Sequence, residues 1–186
     1  MSSGAHIKGS IMSGIVRYLR LHRQESQKLL PPNLRSYLDT RILATRWYRE
    51  EDYLELMKVL VQIRADPKIR GISRYEESAR EAAMSHFEGP YKALLRSGDP
   101  GRTLANLSRL WELRHDTGEI TVTTAGDKSA RIELRGYALV APEACDLTQG
   151  TFWGMLHHVG AEDIRVSHSR CRSRGDDLCE WQVAWS

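Results

Sequence analysis

Residues 116–135 read DTGEITVTTAGDKSARIELR, and inside this stretch the apolar period changes from that of a helix to that of a strand. Asp116, Thr117 and Gly118 close the helical part of the chain. Ile120 and Val122 then alternate with threonines, and Ala130, Ile132 and Leu134 alternate with Arg131, Glu133 and Arg135. Gly126-Asp127 between the two runs supplies turn chemistry, so the stretch predicts a β-hairpin with one apolar face.

Upstream, the apolar residues recur at helical spacing. Ile11, Ile15, Val16, Tyr18 and Leu19 place a first helix over residues 11–23, and Pro31-Pro32 interrupts any helix continuing beyond it. Glu50, Glu51 and Asp52 put negative charge on the first turn of a helix with the stripe Tyr53, Leu56, Met57, Leu60 and Ile63, expected to end near Pro67. Ser73 and Glu76 have capping-box spacing before Tyr75, Ala79, Ala82, Ala83 and Phe87. Asp99-Pro100 reads as an N-cap followed by proline at the first helical position, with Leu104, Leu107, Leu110 and Trp111 as the buried face. Downstream, Phe152, Met155, Leu156 and Val159 restore helical spacing over residues 146–159. Ile164 and Val166, then Cys179, Trp181, Val183 and Trp185, predict a second hairpin. The fold class is therefore α+β: N-terminal helices, then an antiparallel sheet of two hairpins separated by a helix. We expect a single domain over 1–186, with a helical part at 1–115 and a hairpin-helix-hairpin part at 116–186.

Composition narrows the function classes. A chain of 186 residues with 41% hydrophobic content can bury a sizeable core. It contains no apolar run long enough to span a bilayer and no charged-then-apolar leader, so a cytoplasmic location is expected. The net charge of +3 is unevenly spread, because Arg17, Arg20, Arg23, Lys28, Arg35, Arg41, Arg46 and Arg49 face only Glu25 and Asp39 between residues 17 and 49. Interleaved leucines make a solvated basic face the simpler reading, and no nucleic-acid-binding motif accompanies it, so nucleic acid is not an expected partner.

The chemistry is concentrated in the last quarter. All three cysteines, Cys145, Cys171 and Cys179, join His168 in a Cys-x22-His-x2-Cys-x7-Cys string. Three thiols and an imidazole are the donor set of a closed tetrahedral zinc site. Arg172 to Asp177 would turn the chain so that Cys171 and Cys179 meet, and Cys145 opens the intervening helix. Strict strand alternation would send His168 and Cys171 to opposite faces, so a bulge or strand end is required between them. Free cysteines are also commonly buried as small hydrophobes, and spacing alone leaves that alternative open.

The run Cys145-x4-Gly150-x9-Gly160-x7-His168-x2-Cys171-x3-Gly175-x3-Cys179, ending in Gly175-Asp176-Asp177-Leu178-Cys179-Glu180-Trp181, resembles the C-terminal part of the 4-vinyl reductase domain. This is a small-molecule-binding module of bacterial proteins, related to the sensory part of phenol- and xylene-responsive activators and similar in fold to TRAPP vesicle-tethering subunits. The resemblance implies a structural zinc held by the three cysteines. His168 stands where those sensors have a glutamate, a change that retains a competent ligand.

Trp111, Phe152, Trp153 and Trp181 are candidates to line a ligand pocket between the sheet and the helix of residues 146–159, or to fill the core there. Gly150 and Gly154 on that helix leave room for a ligand or for a close neighbour. No catalytic constellation, phosphate loop or redox-cofactor fingerprint is present in the sequence, so an enzyme is not expected. The reading is a sensory or regulatory domain that binds a small hydrophobic molecule, carries a structural zinc and signals through a homodimer or protein partner. The rival is a ligand-free interaction scaffold resembling the TRAPP subunits.

Overall fold

The structure, a computed structural model, describes residues 4–64, 72–87 and 91–186. The sheet follows from the hairpin reading. Strands β3 (Glu119–Gly126) and β4 (Ser129–Arg135) form the first hairpin, with Ile120 opposite Leu134 and Val122 opposite Ile132. Helix α7 (Pro142–His158) crosses to β5 (Arg165–Arg170) and β6 (Cys179–Ala184), the second hairpin. β6 pairs with β4, so the order β3-β4-β6-β5 is antiparallel throughout. The apolar alternation puts Ile120, Ala130, Ile132, Leu134, Trp181 and Val183 on one buried face, covered by Phe152, Met155 and Leu156 of α7. Each of the larger aliphatic and phenyl side chains contributes roughly 1.5–3 kcal/mol by leaving water. The expected α+β class and the hairpin-helix-hairpin order are both observed.

The helical part comprises α1 (Gly9–Leu21), α2 (Arg23–Leu29), a 3-10 segment (Pro32–Leu38), α3 (Glu50–Ile63), α4 (Arg74–His86), α5 (Pro100–Ala105) and α6 (Leu107–Arg114). The predicted end of α3 at Pro67 lies outside the described residues. Met12, Val16 and Leu19 of α1 meet Leu56, Met57 and Leu60 of α3 in a second core. Asp99 caps α5 as expected, its Oδ1 accepting from the Arg102 amide at 2.9 Å. The single helix read after Pro100 is interrupted at Asn106, whose side chain donates instead to the Leu94 carbonyl at 2.8 Å. Ser73 accepts from the Tyr75 amide, but only half of the expected capping box forms. Glu76 is turned away toward Arg80 and toward Gln149 of α7.

Two further features depart from the sequence reading. β1 (His6–Lys8) and β2 (Trp47–Arg49) make a separate two-stranded antiparallel ribbon, too short to show alternation. Part of the basic run is structural, since Arg20 donates to the Tyr37 and Thr40 carbonyls, Arg35 to the Leu30 carbonyl, and Arg23 pairs with Asp39. These contacts hold the 3-10 segment against α1 and α2. Among the described residues, no helix is long and apolar enough to cross a membrane.

α7 lies on α4 at very short range. A Cβ on Gly150 would sit 2.1 Å from the Glu76 carbonyl oxygen, and one on Gly154 would sit 2.5 Å from the Ala83 Cβ. The missing side chains therefore serve close helix packing. They leave no ligand space.

Candidate functional site

Three elements bring the predicted donors together. Cys145 lies on the first turn of α7, which Pro142 opens at the first helical position. His168 lies on β5, and Cys179 starts β6 on the same sheet face. The pairing of β5 with β6 shifts register between His168 and Arg170, which is the irregularity needed to turn Cys171 back toward His168. Cys145 Sγ is 3.6 Å from Cys171 Sγ and 3.7 Å from Cys179 Sγ, and all four donor atoms lie within 4.8 Å of one another. A tetrahedral zinc with Zn–S bonds of about 2.3 Å sets its sulfurs roughly 3.8 Å apart. The cluster can hold a metal ion of that size. His168 Nε2 is also buried without a hydrogen-bond partner, a condition that a metal bond relieves.

The loop from Cys171 to Cys179 is built to present sulfur. Gly175 takes a left-handed backbone, φ +99°, closing a 3-10 turn in which the Arg174 and Asp176 amides both donate to the Cys171 carbonyl. Asp176 accepts from the Cys171 amide at 2.7 Å. The Arg172 amide donates to Cys179 Sγ at 3.4 Å, and Ser173 Oγ lies 2.9 Å from Cys171 Sγ. A hydrogen bond from the Cys145 thiol, helped by His168 and the Arg172 amide, holds the Cys179 pKa below its ordinary value. The same bond, with burial, pushes Cys145 up. Binding of a cation by the three sulfurs would displace the thiol protons that remain. Ser173, Asp176 and the Arg172 amide were not singled out in the sequence. The available signal was Gly175, whose conformation forces the turn that aims them.

The four aromatic candidates are not brought to one space. Trp111 and Phe152 line a small cavity of about 50 Å³ with Tyr53, Leu110, Tyr137 and Met155. Trp181 is wholly buried between Phe152, met edge-on at 5.3 Å, and His168, stacked at 4.5 Å. Trp153 points outward, stacked on His157 with Arg80 above it at 4.4 Å. The gap between sheet and α7 is filled because Phe152 and Trp181 interlock there. The larger opening, about 260 Å³, is a cleft among α1, α3, α4, α6 and α7, lined by Ile15, Met57, Leu60, Ala79, Phe87 and Arg114 among others. It shares Tyr53, Phe87, Arg114, Leu147 and Thr151 with the smaller cavity.

A polar cluster adjoins that cavity. Glu50, only 1% exposed, bonds through Oε1 to His115 Nδ1, and His115 stacks on Trp111 at 3.9 Å. Burial lowers the His115 pKa, with the Glu50 bond opposing it, and burial together with Glu50 raises the Tyr137 hydroxyl well above its ordinary value.

Residues 87–186 match the family described as "Protein of unknown function (DUF2378)". No curated protein matches the sequence. Among solved structures, the chain is similar to an H-NOX protein from S. oneidensis in the Fe(II)NO ligation state, at 13% identity and TM-score 0.64, covering 97% of this chain and 99% of that one. A structure concerned with modulation of heme redox potential through protein-induced porphyrin distortion is similar at 13% identity and TM-score 0.60, covering 97% and 99%. Subunit 3 of the trafficking protein particle complex from Naegleria fowleri, covalently bound to palmitic acid, matches at 16% identity and TM-score 0.49, covering 61% and 78%. At these identities the likeness is one of fold, and the last is too partial to carry an argument.

Proposed function

We propose that this chain, which belongs to the DUF2378 family, is a sensory or regulatory domain of the 4-vinyl reductase type that binds a small hydrophobic molecule and carries a structural zinc. The observation that carries the ligand-binding reading is the cleft of about 260 Å³ with mostly apolar walls, near the ~300 Å³ at which small-molecule sites begin. The similarity in fold to H-NOX proteins, among them an oxygen-binding H-NOX domain, supports the same class.

The zinc part of the proposal rests on the convergence of Cys145, His168, Cys171 and Cys179. Four protein donors leave no position open for water or substrate, so the ion would clamp α7 to the β5-β6 hairpin and take no part in chemistry. The proposal includes no catalytic step. It places the protein in the cytoplasm, passing its signal through a homodimer or a protein partner.

A haem, which the similar structures bring to mind, does not fit the residues present. Iron in haem is held by an axial side chain such as an imidazole, and among the described lining residues the histidine is His115. The space beside it is about 50 Å³, far too small for a porphyrin.

Native mass spectrometry of freshly purified protein tests the whole reading. One zinc per chain, together with a copurified small molecule or a raised melting temperature with hydrophobic compounds, is the expected result. Zinc-free protein with freely reacting thiols would overturn the metal assignment. A protein that no hydrophobic compound stabilises would overturn the sensor reading in favour of the scaffold.

A further inference from the structure

We infer that the ligand of the cleft is an amphiphile with an apolar body and a single carboxylate, and that Arg114 receives the carboxylate with Tyr53 beside it. The inference rests on the small-molecule reading above and names the chemical class that reading leaves open.

Arg114 ends α6 and lines both the 260 Å³ cleft and the smaller cavity next to it. Among the described residues its guanidinium makes no ion pair and no side-chain hydrogen bond, and its Nε is buried without a partner. Its neighbours are aromatic: the Phe87 and Tyr91 rings lie 5.8 Å from the guanidinium carbon. A guanidinium stays charged in proteins and offers five donors, so a partly desolvated one without an anion is costly unless a partner arrives.

Neither nearby carboxylate bonds the guanidinium. Glu81, at the edge of the cleft, is paired with Arg64. Glu50 is close enough for Arg114 to feel its charge, but its Oε1 takes the His115 bond and its Oε2 is buried without a hydrogen-bond partner. Tyr53 also lines both spaces, and its hydroxyl has no hydrogen-bond partner among the described residues. Burial raises that hydroxyl to about 12, so it remains a donor at neutral pH. Two unspent donors thus face one opening whose other walls include Ile15, Met57, Leu60 and Ala79, with the paired Arg64 and Glu81 and the hydroxyls of Ser78 and Thr151. At the ~30 Å³ that a water-sized group occupies, 260 Å³ admits on the order of ten non-hydrogen atoms. That is the size of a medium-chain or aromatic monocarboxylic acid.

The test is calorimetric titration of the full chain with decanoate, below its micelle concentration, and with decan-1-ol, which shares the chain and lacks the charge. We expect decanoate to bind about tenfold or more tightly than the alcohol, the scale of a charge-assisted hydrogen bond. Arg114→Met should bring the two to parity by weakening decanoate alone, and Tyr53→Phe should weaken decanoate by a smaller factor. Equal binding of acid and alcohol by the unaltered protein would overturn this inference while leaving the small-molecule reading intact. Binding of neither would overturn both. The comparison on the unaltered protein decides the matter even if Arg114→Met does not fold.

Discussion

His168 lies face to face with Trp181 across the β5-β6 pair, ring centroids 4.5 Å apart and planes 8° from parallel. Trp181 is in turn met edge-on by Phe152 of α7, so a single row of rings runs from the cysteine-histidine cluster into the helix-covered core. Ligand orientation here depends on the core as well as on the loop.

That row separates packing from coordination. His168→Phe keeps a flat ring on Trp181 and removes the nitrogen donor, whereas His168→Ala removes both. Zinc content should fall well below one equivalent in each, but the alanine variant should also lose the ring contact, about 0.5–1.5 kcal/mol of stability, and melt at a lower temperature. Elemental analysis beside thermal melting checks this, and full zinc retention in His168→Phe would remove the imidazole from the ligand set.

Metal removal should act on stability. A strong chelator, or Cys179→Ser, is expected to lower the melting temperature, with re-added zinc restoring the chelated protein only. The loss should stay below the ~10 kcal/mol or more of motifs that have no core of their own, because the sheet and α7 retain their apolar packing. An unchanged melting curve after complete zinc removal would show that the cluster holds nothing together.

The parts legible in the sequence were those governed by local period and local chemistry. The alternation in 119–135 gave the first hairpin, Asp99-Pro100 gave the start of α5, and the His-x2-Cys spacing demanded the register shift that is found before Arg170. Features set by tertiary pairing were not legible. Glu50 reads as an ordinary first-turn acid, yet it is buried against His115, 65 positions away. Gly150 and Gly154 mark a close approach, but only the fold shows that α4 occupies it and that the open space lies on the other side of the helices. Arg114 and Tyr53 carry no motif, since their distinction is the lack of a partner.

The glycine contact makes its own prediction. In an exposed helix, glycine to alanine gains up to about 1 kcal/mol from helix propensity. At position 150 the new methyl would lie 2.1 Å from the Glu76 carbonyl oxygen, which is backbone and cannot step aside. Gly150→Ala should therefore destabilise by about 1–3 kcal/mol as α4 is pushed off α7. Urea denaturation measures it, and a stabilised variant would mean that the two helices do not pack this closely.

The last prediction concerns acid. Burial holds the His115 pKa below its ordinary 6.5, against the opposing pull of Glu50. The unfolded chain then binds this proton more readily than the folded one, so the contribution of His115 to stability is fully present above about pH 6.5. It is lost progressively as pH falls toward the folded pKa. His115→Gln can still donate to Glu50 but cannot take up the proton. Its stability should fall less steeply than that of the unaltered protein below pH 6.5, by at most about 1.4 kcal/mol per pH unit, the slope of a single proton. Protonation of the cysteine-histidine cluster affects both proteins alike and cancels in the difference. Urea titrations of the pair between pH 5 and 8 read that difference directly, and parallel curves would mean that the imidazole titrates in the folded protein as it does in the unfolded one.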